Sequence, residues 1–86
     1  MKLQLINGHF SPQDALDILT KMTQVKVSYH EHQISTSDHE EDVKSREKRI
    51  KALQQNLQEA RQFIAENGQD GVRLQADIVL TVLAGA

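Results

Sequence analysis

Residues 26–33, KVSYHEHQ, decide how this chain folds. Val25, Val27 and Tyr29 alternate with polar residues and are of the types that strands favour. A strand here would place His30 and His32 on one face and make the segment a candidate for metal binding or catalysis. The same stretch also continues a helical stripe, because Ala15, Ile18, Met22, Val25 and Tyr29 recur at steps of three and four. No Gly, Pro or Asn interrupts residues 13–34, and the segment KMTQ at 21–24, where a turn would have to lie, holds no strong turn former. The spacing therefore predicts one helix from 12 to about 34, with a helix, loop and strand as the competing arrangement. As a helix, the segment turns Tyr29 to the core and sets His30 and His32 about 200° apart.

Upstream, KLQLI at 2–6 begins with alternation and reads as a short strand closed by the turn pair Asn7-Gly8. Ser11-Pro12-Gln13-Asp14 then has the parts of a helix start: a hydroxyl cap, proline at the first helical position and an acid in the first turn. Downstream, Ser37 followed by Glu40 reads as a capping box, and the acids of DHEED at 38–42 suit the positive end of a helix. That second helix, from 38 to about 66, carries a coiled-coil-like heptad seam of Val43, Ile50, Leu57 and Ile64, with Leu53 and Ala60 between them. Arg46 stands where another apolar residue is expected, either setting the register or reaching past the seam to water. Gly68 is placed to end the helix in a left-handed conformation. In VRLQADIVLTVLAGA, Val72, Leu74, Ala76, Ile78, Leu80 and Val82 fall on one face of a strand over about 72–83.

The segments LQLINGHFSPQDALDIL, KVSYHEHQ and SREKRIKALQQNLQEARQFI together resemble a small family of uncharacterised bacterial domains. The likeness runs over most of the chain and shares the order of short strand, Ser-Pro helix start, histidine-bearing segment and basic helix. It implies a compact bacterial protein of this layout and carries no catalytic or binding residues with it.

Composition narrows the chemistry. Eighty-six residues make a single domain with a thin core, and with 38% apolar but only 3% aromatic residues a desolvated substrate pocket is hard to build. The absence of cysteine removes disulfides, thiolate nucleophiles and the commonest structural zinc sites. MKLQLINGHF lacks the apolar run of a signal peptide, and no stretch has the length of a membrane span, so a cytoplasmic protein without a membrane partner is expected. No cofactor motif is present, since NGQDG lacks the Lys and Ser/Thr of a phosphate loop. Ser28, Tyr29 and His30 are neighbours in sequence but diverge on a helix, and His9 beside Ser11 serves a turn and a cap, so no enzyme is expected.

Three binding possibilities remain. A metal ion would be held by His32 and His39 across the helix corner with Asp38 or Glu41, although HEHQI is not the H-E-x-x-H pattern; solvated histidines are the plainer alternative. Nucleic acid would be met by Lys44, Arg46, Lys48, Arg49 and Lys51, widened by Arg61, against the repulsion of DHEED and without aromatic residues for stacking. The third, preferred, is self-association. It would use Val43, Ile50, Leu53, Leu57 and Ile64 on the helix or Ile78, Leu80 and Val82 on the last strand, whose long edge finds little pairing within the chain. The expected protein is thus α+β: an antiparallel hairpin of long helices whose terminal strands form a small antiparallel sheet, completed in a homodimer or by another protein partner.

Overall fold

The apolar pattern of the first segment changes phase: Leu3 and Leu5 occupy odd positions, whereas Ile6, Gly8 and Phe10 occupy even ones. A regular strand cannot put both sets on one face, because its side chains alternate with a period of two. The computed structural model, which describes residues 1–85, resolves the conflict with a bulge. Strand β1 (Lys2–Phe10) runs antiparallel to β2 (Val72–Val79), with Gln4 opposite Asp77 and Ile6 opposite Ala76, so Leu5 is the extra residue. Leu3 then lies opposite Ile78 and Phe10 opposite Val72, and the apolar residues of both strands share one face. The other face is polar, tied by Lys2 Nζ to Asp77 Oδ2 at 3.6 Å and by Arg73 Nη2 donating to Asn7 Oδ1 at 2.9 Å. Asn7-Gly8 therefore lies inside the strand instead of closing it, since the bulge lets pairing continue to Phe10.

Helix α1 (Pro12–Thr36) runs through KVSYHEHQ without a break, which settles the choice left open by that segment. It starts as the Ser-Pro signature predicts, with Ser11 Oγ accepting from the Asp14 N–H at 3.1 Å and Pro12 in the first turn. Helix α2 (Glu40–Asn67) returns antiparallel to α1. Its cap is His39 with no side-chain bond: Ser37 Oγ accepts from the His39 N–H at 3.2 Å, so the hydroxyl holds the corner instead of forming the expected box with Glu40.

The heptad positions of α2 are the residues it covers. Val43, Arg46, Ile50, Leu53, Leu57 and Ala60 are half-buried and Ile64 is buried, while nearly every residue between them is exposed. On α1 the covered heptads are Leu16, Thr23 and His30 on one register and Thr20, Val27 and Ile34 on the other. This is a different stripe from the one that predicted the helix. Ala15 is buried, but Met22, Val25 and Tyr29 are 37%, 72% and 56% exposed, so Tyr29 does not face the core. The seam was hidden because it contains polar residues that satisfy themselves. Thr20 Oγ1 donates to its own helix at Leu16 O, 2.7 Å away, and His30 meets Arg46 across the hairpin.

Gly68 ends α2 with φ −93°, not in the left-handed region; its lack of a side chain matters because a Cβ would lie 2.8 Å from Ile64 O and 3.1 Å from Val72. The positive φ falls on Gly71, at +110°, which turns the chain into β2. Sheet and hairpin meet around this elbow. A 28-residue helix is about 42 Å long and a nine-residue strand about 30 Å, yet the molecule measures only 47 × 30 × 14 Å. The sheet thus neither prolongs the helices nor lies along them, and the contact between the two layers is small.

Candidate interaction surface

The packing leaves a thin interior. Among the described residues the buried apolar side chains are Ala15, at 0% exposure, and Ile64, at 7%, and no large side chain is fully shielded from water. The half of the sheet beside the elbow, with Ile6, Phe10, Val72, Leu74 and Ala76, is half-buried. The distal half of the same face is open: Leu3, Leu5, Ile78 and Leu80 are 43–48% exposed, and Val82 and Leu83 beyond them are 94% and 85% exposed. An apolar face that begins under the helices and continues uncovered is the arrangement expected of a surface that another chain closes.

The sheet edges differ. Leu80 and Met1 exchange both backbone bonds, Leu80 N–H to Met1 O at 2.7 Å and the Met1 amino group to Leu80 O at 3.0 Å. Alternation along an antiparallel ladder therefore turns the backbone groups of Val72, Leu74, Ala76 and Ile78 towards β1, and those of Arg73, Gln75, Asp77 and Val79 outwards. The outer edge of β1 is blunted by Lys2, the bulge at Leu5 and Gly8. The outer edge of β2 has no Pro, Gly or bulge and offers a regular row of donors and acceptors. At the elbow an open depression of about 650 Å³ is lined by His9, Phe10, Ser11, Pro12 and residues 69–73.

The histidine segment contributes structure here. His30 is 6% exposed, with Nδ1 at 3.0 Å from Arg46 Nη1. An arginine only donates, so Nδ1 is the acceptor and the ring proton sits on Nε2. Burial first, and then the charges of Arg46, Arg49 and Lys26, hold the His30 pKa below its ordinary value, so the ring is neutral. Arg46 also reaches Asp42 Oδ2 at 3.3 Å and lies 5.8 Å from the Tyr29 ring centre. The Asp42 carboxyl is held below its usual range, by the Ser37 hydroxyl beside it most of all, against partial burial, and further by Arg46 and His39.

The other expected sites separate. His32 and His39 are both exposed, and among the described residues no group of three His, Asp or Glu side chains could hold a metal ion. In the basic run, Arg46 turns into the seam and Lys44 pairs with Glu40 at 3.2 Å, leaving Lys48, Arg49 and Lys51 exposed and, among the described residues, without such a pairing. Val43, Ile50, Leu53, Leu57 and Ile64 are spent within the chain against α1, whereas Ile78, Leu80 and Val82 stay open. Leu3 and Leu5 belong to the same open face and were missed, because recognising them requires the bulge that rephases β1. No described helix is long and apolar enough to cross a membrane. Compared with family models, curated proteins and solved structures, the chain matches none.

Proposed function

We propose that this protein is a non-enzymatic interaction module that works as a self-associated assembly, its sheet forming the contact. The observation that carries this is the uncovered distal half of the sheet, where Leu3, Leu5, Ile78 and Leu80 continue an apolar face that the helices cover only near the elbow. A two-stranded sheet is marginal in water by itself, and three or more strands or a packed layer are needed to support it. A second subunit supplies both. The paired His30 and Arg46 give the hairpin a fixed register, which makes it a rigid arm on which the sheet is presented. Mass in solution at low micromolar concentration, by sedimentation or light scattering, tests the proposal. A mass of twice the chain's 9.7 kDa or more is expected, and a strict monomer over the whole range overturns it.

A further inference from the structure

We infer that the contact is an antiparallel pairing of β2 with β2 of a second copy, about a two-fold axis passing at Gln75. This rests on the self-association proposed above and specifies its register. A two-fold contact must be self-complementary, so each residue and its mate exchange roles across the axis. The outward backbone groups of β2 belong to its odd-numbered residues, so a hydrogen-bonded pair centred on Gln75 uses the groups the edge presents.

Charge selects the same register. With Gln75 opposite its own copy, Arg73 lies opposite Asp77 of the second chain, and Asp77 opposite Arg73, so two cross-strand ion pairs form on the polar face. Shifting the axis to Ala76 sets Arg73 against Val79, and shifting it to Asp77 sets two carboxylates against each other. Charges on an edge ordinarily keep strands apart. Here opposite charges four residues apart join them in one register. On the apolar face that register brings Val72 against Ile78 and Leu74 against Ala76, continuing one apolar surface over four strands.

The direction of the pairing also gives the protruding tail a place to go. Running antiparallel past Val72 of the second copy, the chain after Leu80 heads for that copy's elbow, where Gln69, Asp70 and Gly71 border the depression of about 650 Å³. Val82 and Leu83, the most exposed apolar residues of the tail, arrive beside that elbow, at the end of the apolar face that the neighbour's own helices half-cover.

A mixing experiment tests the register. Arg73→Glu alone sets acid against Asp77, and Asp77→Lys alone sets base against Arg73, so each variant by itself should associate about tenfold more weakly than the parent at two symmetric sites. Mixed one to one, the two variants match their charges at both sites and should form a heterodimer as tight as the parent, with helical circular dichroism unchanged throughout. The chain has no cysteine, so Gln75→Cys adds a single thiol, which should form an intermolecular disulfide on mild oxidation because the paired Cα atoms lie about 5.5 Å apart. A Gln54→Cys control on the exposed side of α2 should not. A parent that dimerises while the mixture shows no rescue and Gln75→Cys does not cross-link overturns this register and leaves self-association standing. A strictly monomeric parent overturns both.

Discussion

Arg46 Nη1 lies 3.0 Å from His30 Nδ1 across the helical hairpin, a polar contact in a seam that is otherwise apolar along the heptads of α2 and mixes aliphatic side chains with Thr20 and Thr23 on α1. Stepping from it in heptads sets Thr23 level with Leu53 and Leu16 level with Ala60, so one pair defines how the arms align. Removing Arg46 leaves His30 Nδ1 without its donor in a half-dry seam, and removing His30 leaves Arg46 held by Asp42 alone, whereas removing both leaves aliphatic side chains at the two positions. Arg46→Leu and His30→Leu are each expected to lower the melting temperature by roughly 4–8 °C. The double variant should recover much of that loss, and thermal melts followed at 222 nm for the four proteins measure the non-additivity.

The same ring makes the hairpin sensitive to acid. His30 has a folded pKa below its ordinary 6.5, so between the two values the unfolded chain binds the extra proton. Its contribution is complete above pH 6.5 and declines as the pH falls from there through the folded pKa. Asp42, also lowered, adds stability present above its ordinary 3.8 and lost at more acid pH, so the two windows do not coincide. Urea midpoints between pH 8 and 5 should therefore fall in the parent and fall less in the His30→Leu/Arg46→Leu double variant. Equal slopes would show that His30 titrates freely.

How far the sequence speaks for the structure varies by element. Ser11-Pro12 announces its role through local chemistry and starts α1 as expected, and the heptads from Val43 to Ile64 mark the face of α2 that is covered, here by α1 of the same chain. The elements predicted at 2–6, 12–34, 38–66 and 72–83 appear at 2–10, 12–36, 40–67 and 72–79, the two strand ends differing most: β1 runs on past a bulge that rephases its alternation, and β2 stops at Val79. On α1 two stripes compete, and apolar count alone favours Met22, Val25 and Tyr29. The seam instead runs through Thr20, Thr23 and His30; Thr20 bonds within its own helix, while the match for His30 sits on the other helix and is invisible to local periodicity. The basic flank looked continuous because spacing does not show that Arg46 turns inward.

Two glycines at the elbow are expected to resist substitution for different reasons. Gly68→Ala puts a methyl 2.8 Å from the Ile64 carbonyl, a backbone atom that cannot step aside, and should cost about 1–3 kcal/mol. Gly71→Ala strains a backbone at φ +110° and should cost on the order of 1–2 kcal/mol, while Gly85→Ala, with open space around it, should change nothing measurable. Urea denaturation of the three variants ranks them, and a neutral Gly68→Ala would mean that the helix end relaxes.

The choice between the two stripes of α1 predicts opposite outcomes for adjacent valines. Val25 is 72% exposed, so Val25→Lys should alter folding stability by no more than about 0.5 kcal/mol. Val27 lies in the heptad seam, and Val27→Asp places an ionised group between the helices, with an expected loss of about 1–3 kcal/mol. Both should be measured by urea denaturation at a protein concentration low enough that association does not contribute. If Val25→Lys proved the more damaging, the hairpin would be packed on the stripe through Tyr29 and the pairing of His30 with Arg46 could not hold its register.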